Sequence, residues 1–352
     1  MPVVLVTGSC GLIGSETVSF FGEKGFAVVG IDNNMRKSFF GDDGSVLWNQ
    51  KRLTTKYKNY KHFSVDIRDK ERVGKIFKKY ARDIVLIVHA AAQPSHDWAA
   101  KDPLTDFGVN ALGTVILLEA FRKYSPKAAF IFTSTNKVYG DTPNSLPLIE
   151  LDKRYELPKD HQYYKGIDES LSIDHSLHSV FGASKAAADL MTQEYGRYFG
   201  LNTAVFRGGC LTGPAHSGVE LHGFLSYFVK CAITGRKYII YGYKGKQVRD
   251  NIHAYDLVNA FYHYYKNPRS GETYNIGGGR FANISILEAI NLCQKLTGEK
   301  LNYEYIDKNR IGDHIWWISD VSKFKSHYPG WQYKFGIEDT IRQIYETHKE
   351  MV

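Results

Sequence analysis

Cysteine is scarce in this 352-residue chain, with Cys10, Cys210, Cys231 and Cys293 far apart. No pair has the close spacing of a zinc site, and the count does not suggest a disulfide framework, so reduced thiols and a cytoplasmic setting are expected. Long apolar runs are missing too. None reaches the roughly 20 residues of a membrane span, so no membrane partner is expected. The chain starts directly on a strand pattern rather than on a basic, apolar and small-residue succession, and no secretory leader is expected. Internal repeats and low-complexity linkers are absent. The formal charge is +8, yet there is no dense basic run. Acids and bases alternate, as in Asp69-Lys70-Glu71-Arg72, which reads as solvated surface and argues against a nucleic-acid partner. A basic cleft for a phosphorylated small molecule is the useful alternative. The remaining composition, 43% hydrophobic and 23% charged, is that of a globular chain long enough for two lobes.

One stretch organises the sequence. Val3-Val4-Leu5-Val6-Thr7 is an apolar strand, and Gly8, Gly11 and Gly14 follow at three-residue spacing before a helical pattern. Gly8 allows a tight turn, Gly11 lets a pyrophosphate reach the backbone, and Gly14 lets helix and strand pack closely. The N–H groups of the first helical turn, at Leu12 and Ile13, then face the phosphates. A second apolar run, Phe26–Ile31, ends in Asp32. An acid at that distance accepts ribose hydroxyls and repels a 2′-phosphate, which favours NAD over NADP, although Arg36 and Lys37 follow closely. Asn33 and Asn34 continue this cofactor loop.

Alternating strands and helices run to about residue 210. Strands are expected at Val3–Thr7, Ala27–Asp32, Tyr60–Asp66, Ile84–Ala90, Ala128–Ser134 and Thr203–Arg207. Helices are expected at Ile13–Lys24, Lys70–Arg82, Asp106–Tyr124 and Ser184–Phe199. This alternation implies an α/β fold, a doubly wound parallel sheet of Rossmann type with ligands at the carboxyl ends of its strands. Asp66 and Ile67 end the third strand, where an acid meets adenine or caps the following helix. Ala90, Ala91 and Ala92 leave room for a flat cofactor or for tight packing. Asn110 lies in an apolar helix, either near the cofactor or bonded to neighbouring backbone. The fifth strand ends in hydroxyls, Thr133-Ser134-Thr135, followed by Asn136 and Lys137. Phe181 and Lys185, four apart, share one helical face.

Taken together, the glycine turn, Asp66, His89-Ala90-Ala91, Asn110, the hydroxyl strand end with Val138-Tyr139-Gly140, and Lys185 resemble the extended short-chain dehydrogenase/reductase family over essentially the whole chain. Within it, Ser134–Asp141, Asp168-Glu169-Ser170 and Gly245–Asp250 resemble the nucleotide-sugar epimerases that act at sugar C2, the CDP-tyvelose (CDP-paratose) 2-epimerases. The resemblance implies a tightly held NAD that takes a hydride from C2 of a CDP-hexose and returns it to the other face. It implies that Thr135 bonds the reacting oxygen and that Lys185 holds the nicotinamide ribose. Gln93, His96, Asn136, Lys137, Cys210, His222, Arg249 and Arg310 become candidate substrate contacts, with the two arginines on the diphosphate. Relatives of this kind dimerise through the helices Asp106–Tyr124 and Ser184–Phe199.

One position departs from the family. Phe181 stands where the resemblance has a tyrosine, and a phenyl ring cannot accept a proton. The chain then has had that tyrosine replaced, uses another base, or binds without catalysis. His178 and Cys210 lead the alternative bases, followed by Tyr139, Tyr163, Tyr164 and His96. A 4-epimerase or a 4,6-dehydratase is the neighbouring reaction, but Asn136 and Lys137 stand where a dehydratase needs an acid and a base. The expected domains are 1–210 for NAD, with a returning segment near 237–260, and 211–236 with 261–352 for the nucleotide sugar. His216, Glu220 and His222 lack metal-ligand spacing, and no metal is expected.

Overall fold

Val3–Thr7 (β1) is buried at all five positions, and a run buried on both faces belongs in the middle of a parallel sheet. The computed structural model describes residues 1–220, 222–310 and 312–350. Ile311, next to the candidate diphosphate contact Arg310, and Met351, where the amphipathic pattern of 337–351 predicts a final helix to end, lie outside them. The strands β2 (Ala27–Ile31), β3 (Tyr60–Phe63), β4 (Ile84–His89), β5 (Ala129–Thr135), β6 (Asn202–Gly208) and β7 (Glu272–Ile276) complete a seven-stranded sheet. Its order is β7-β6-β5-β4-β1-β2-β3. The order reverses at β1, which pairs in parallel with β2 on one side and β4 on the other. Thr7 lies opposite both Ile31 and His89. The residues that follow these strands, Gly8, Asp32 and Ala90, therefore emerge at one point, the crevice where such sheets bind ligands.

The chain divides into two compact units. The first is 1–138, 180–207 and 258–274; the second is 139–179, 208–257 and 275–352. Two boundaries differ from the sequence reading. Residues 139–179 go with the second unit because Tyr139 donates its hydroxyl to Asn275 Oδ1, Ile167 N–H bonds Ile318 O, and Arg154 pairs with Glu288. The segment returning to the first unit is 258–274, not 237–260. Phe206 of β6 packs against Phe261 at 5.0 Å and Tyr274 at 5.5 Å, so an aromatic cluster fixes this stretch beside the sheet. Tyr238–Tyr241 pairs with Tyr303–Ile306 instead, and Val248–His253 joins Cys210–Thr212, Asn283–Ser285 and Trp316–Trp317, all in the second unit.

Helix starts follow local chemistry. The helix Lys70–Tyr80 is capped by Asp69, whose carboxylate accepts from Arg72 N–H at 2.9 Å. Asp66, read as a possible cap, bonds Arg68 instead, and it lies beyond the end of β3. Asp69→Ala should therefore cost about 1 kcal/mol of stability, read as a lowered denaturant midpoint. Residues 103–124 form a continuous helical stretch with one π turn, Gly108–Leu112. By length and composition alone this stretch could cross a membrane, unlike the sequence expectation. More than half of its apolar window is buried, and Asp106, Asn110 and Thr114 are bonded inside the first unit, as in a core helix.

Candidate functional site

The glycine turn is tight, and its outer side is open. Gly8 takes the left-handed conformation at φ +66°, and a Cβ there would meet Ala91 N at 2.7 Å. A Cβ on Gly14 would collide with Gly8 O, because α1 (Leu12–Glu23) presses directly on the turn. Gly11 differs: a Cβ there would meet Gly8 O at 3.4 Å, an ordinary contact, so its outer side is open to a ligand. Gly11 is the helix N-cap and no side chain caps the first turn, which leaves the dipole and the amides near Leu12 and Ile13 for an anion. These residues fit a dinucleotide pyrophosphate.

The acid that should meet the ribose is held ready. Asp32 Oδ2 accepts from Cys10 N–H at 3.0 Å and Oδ1 from Asn34 N–H at 2.8 Å. Each oxygen keeps a lone pair for a hydroxyl. Burial raises this carboxyl from its ordinary value, against the two amides. Burial, then Asp32, pushes the Cys10 thiol up to about 12, so Cys10 is packing rather than chemistry. Asn34 sits at φ +56° and its Oδ1 accepts from Val46 N–H, so it shapes the loop. Asn33 donates to Asp66 Oδ2, and Asp66 forms a 2.7 Å ion pair with Arg68. Ile67 is buried, and Ala90, Ala91 and Ala92 line the end of β4 half-exposed.

Two expected contacts are corrected by their own bonding. Gln93 is fully buried; its amide donates to Ser95 O and Asp106 Oδ1 and its Oε1 accepts from Ser95 N–H. Asn110 accepts from Gln93 N–H and donates to Gln93 O, Asp106 and Ser184 Oγ. Both amides serve the scaffold, so neither presents its side chain to substrate or cofactor. For Asn110 this is the backbone-bonding alternative. Asn110 lies within the π turn Gly108–Leu112.

Beside this scaffold lies the hydroxyl-bearing end of β5. Thr133 donates to His89 O, and its own carbonyl receives Lys185 Nζ at 2.8 Å. Thr135 is half-buried; its hydroxyl accepts from Lys137 N–H at 3.2 Å and reaches Asn136 Oδ1 at 3.4 Å. Lys185, on α2 (Ser179–Phe199), is 4% exposed, with its ammonium 4.1 Å from the centre of the Phe132 ring. Burial pushes it down to about 7, against the pull of Asp189 and Asp106. Those two carboxylates were missed in the sequence. The signal was there for Asp189, one turn after Lys185 on a helix otherwise lined with alanine. Asp189 also holds Ser134 and a buried Arg207. Phe181, one turn before Lys185, is buried and packs edge-on against the His96 ring at 4.8 Å.

The second unit carries the other candidates. Arg249 is buried, donates to Val248 O, and forms a 2.7 Å ion pair with Asp313. Burial opposes its charge, but Asp313 beside it outweighs that and raises the guanidinium above its usual value. The acids nearer in sequence are engaged elsewhere: Asp250 accepts from Ser319 and Gly279 N–H, and Asp256 from Lys334 and Phe335 N–H. Arg310 lies 5.9 Å from the Tyr241 ring centre. Cys210 is half-buried and pairs by backbone with Asn251 in the strand that carries Arg249. His222 packs edge-on to His216 at 5.5 Å. No cluster of His, Cys, Asp and Glu able to hold a metal occurs among the described residues. His178 donates Nδ1–H to Ser176 O. The Tyr139 hydroxyl is spent on Asn275, and Tyr164 stacks under Arg280. Tyr163 is nearly buried and packs against His161.

Known proteins resemble the chain over nearly its whole length. The model of the NAD dependent epimerase/dehydratase family matches residues 4–277. The chain is 31% identical over 350 residues to the CDP-paratose 2-epimerase of Salmonella typhi, covering 97% of this chain and 98% of that one. It is 30% identical over 362 residues to a dTDP-glucose 4,6-dehydratase of Escherichia coli, covering 96% and 92%. The solved UDP-glucose 4-epimerase of Thermus thermophilus, in complex with NAD, superposes with a TM-score of 0.79 at 26% identity, covering 99% and 100%. With a glycine turn after its first strand, an acid-ended second strand and this breadth of similarity, the chain belongs to the NAD dependent epimerase/dehydratase family.

Proposed function

We propose that the chain is an NAD-dependent nucleotide-sugar epimerase acting at sugar C2 of a CDP-hexose. The observation that carries this is Lys185, buried and bonded to Thr133 O beside the hydroxyl end of β5, in a fold whose Salmonella relative is a CDP-paratose 2-epimerase. When bound, NAD supplies a reversible hydride acceptor. The chain's residues do the rest. The turn at Gly8, Gly11 and Gly14 holds the pyrophosphate, and Asp32 accepts the ribose hydroxyls. Lys185 binds the nicotinamide ribose with its ammonium. Thr135 donates a hydrogen bond to the sugar oxygen that becomes a carbonyl, with Asn136 and Lys137 beside it. Arg249 and Arg310 hold the diphosphate, with His222 and Cys210 as further sugar contacts. The second reading is a non-catalytic NAD and nucleotide-sugar binder, favoured by Phe181.

Two further assignments go with this. We place the enzyme in the cytoplasm, where its four free thiols stay reduced. We also assign a homodimer joined through the 103–124 and 179–199 helices. What supports it is the exposure there of Leu104, Phe107, Leu112, Leu190 and Phe199, and a monomeric mass in solution would refute it.

The functional test is turnover of CDP-, UDP- and dTDP-hexoses by the purified chain, with released NAD quantified. The expected result is one NAD per chain and inversion at C2 of a CDP-hexose, with no solvent deuterium entering that carbon, because the hydride leaves and returns. Inversion at C4, or loss of water, would assign a neighbouring reaction. Bound NAD without turnover of any nucleotide sugar would favour the binder.

A further inference from the structure

Resting on the reading of Asp32 as acceptor of the ribose hydroxyls, we infer that His62 tunes the dinucleotide selectivity of the ribose pocket. Neutral, the imidazole leaves Asp32 to repel a 2′-phosphate. Charged, it offsets that carboxylate and admits a 2′-phosphorylated dinucleotide. His62 acts through Asp32, as a positioning residue for charge rather than as a ligand.

The sheet brings the two residues together. Gly30 of β2 lies opposite His62 of β3 in parallel register, and Asp32 N–H extends this ladder by bonding Phe63 O. Residues two apart along a strand share a face, so Tyr60 and His62 lie on the face that Gly30 leaves bare. The glycine turn covers that same face. A Cβ on Gly30 would meet Ser9 Oγ and the Tyr60 hydroxyl, each at 2.5 Å. In its place runs a chain of polar groups. Ser9 Oγ is 2.9 Å from the Tyr60 hydroxyl, which is 3.1 Å from His62 Nδ1. Cys10 joins this chain to the acid. Its Sγ lies 3.8 Å from His62 Nδ1, and its N–H donates to Asp32 Oδ2 at 3.0 Å. One residue thus touches both the imidazole and the carboxylate.

Within the cluster His62 is the group suited to change charge near neutral pH. Burial pushes the Cys10 thiol up to about 12 and raises the Tyr60 hydroxyl, so both stay neutral. Arg52, the nearby cation on the helix Leu47–Lys56, donates to Asn49 Oδ1 at 2.7 Å. His62 itself is half-buried. Burial lowers the imidazole from its ordinary value, and the Asp32 charge pulls it back up. Burial likewise raises Asp32, and His62 is among the groups that pull it back. The consequence is electrostatic. A 2′-phosphate brings about 1.5 to 2 negative charges toward the Asp32 oxygens. A lone carboxylate repels them, whereas a carboxylate beside an imidazolium largely does not. A ribose hydroxyl is neutral, so NAD feels little of the change.

The full chain is brought to equilibrium with equal NAD and NADP at steps from about pH 8 to about pH 5.5, and the dinucleotides released on denaturation are counted. His62→Gln, which keeps an oxygen for the Tyr60 hydroxyl, and His62→Lys, which puts an ammonium there, are treated alike. Melting temperatures verify that each variant is folded. The wild-type NAD:NADP ratio is expected to fall about three- to tenfold further than that of His62→Gln, the change that half to one pKa unit of coupling carries. Protonation of the phosphate is common to both chains and cancels. His62→Lys is expected to show the low ratio already at about pH 8. Wild type and His62→Gln agreeing within about twofold at every step would overturn the role of His62 and leave that of Asp32 standing. So would a folded His62→Lys as selective for NAD at about pH 8 as the wild type. A wild-type chain that takes both dinucleotides equally at about pH 8 would overturn the reading of Asp32, and the role of His62 with it.

Discussion

Lys185→Met will lower kcat by roughly 10²-fold, the scale on which misplacing a reacting group costs turnover, since the ammonium proposed to hold the nicotinamide ribose is removed. The fold, however, will not weaken at neutral pH. Burying an ammonium is costly, and burial brings Lys185 down to about 7 against the pull of two carboxylates. In an unfolded chain a lysine titrates near about 10.4. Between those two values the unfolded chain holds more protons than the folded one, so stability rises as pH rises through this window. Below it the cost of the buried charge is fully present. Methionine fills similar space without the charge. The variant will therefore melt no lower than wild type near pH 7, and its lead will shrink as pH approaches about 10. Melting curves of the two proteins across that range check the sign. A wild-type chain that loses stability relative to the variant as pH rises would contradict the buried-ammonium picture. Activity and stability are opposed at this one residue, as is common where a site needs a group the interior disfavours.

The second large effect separates two glycines three residues apart. Gly14→Ala will disrupt the turn, because the added methyl collides with the backbone oxygen of Gly8, which cannot swing away as a side chain would. Overpacking against rigid neighbours costs on the order of 1–3 kcal/mol, and backbone obstruction belongs at the upper end. Bound NAD will disappear with it. Gly11→Ala will leave the melting temperature nearly unchanged, since its methyl meets Gly8 O at an ordinary 3.4 Å. It will still empty the protein of NAD, because the methyl would stand where the pyrophosphate is proposed to approach. Melting temperature and released nucleotide, measured on both variants, give four numbers. If Gly11→Ala keeps its NAD, the pyrophosphate does not lie against that residue.

Much of this was legible in the chain, for a physical reason. A strand buried on both faces, such as Val3–Thr7, carries its own signature, and a glycine turn after it has few other uses. Six of the seven sheet strands were readable in place, with ends off by a residue or so except at β3, which stops at Phe63 rather than Asp66. Lys185 and Thr135 were legible through the resemblance. The seventh strand is readable in part, as Tyr274-Asn275-Ile276 running into a glycine turn, but not as part of this sheet. What brings Glu272–Ile276 there is the contact of Phe206 with Phe261 and Tyr274, a long-range packing choice that no local pattern states. Arg249 was identifiable as a buried-site arginine, yet its partner Asp313 lies 64 residues on, while nearer acids compete for the reading. Gln93 looked like a substrate contact because polar residues after β4 tend to be one; only its saturated amide shows otherwise. The helix Leu47–Lys56 was not anticipated. Its stretch is polar and short, and Asn49 Nδ2, bonded to Cys10 O, ties it to the first turn.

The chain passes between the two units five times, since each is made of three separate stretches. This has a consequence for biogenesis. While the chain is being made, the first sheet cannot be completed until its last strand, starting at Glu272, has left the ribosome, long after the nucleotide turn has been synthesised. Closing contacts over such separations is entropically slow and delays the rewarding interactions. A nascent chain stopped before that strand exposes the open edge of β6, a template for pairing with other chains. No single cut releases either unit intact, so shortened versions of this protein will aggregate rather than yield a working half.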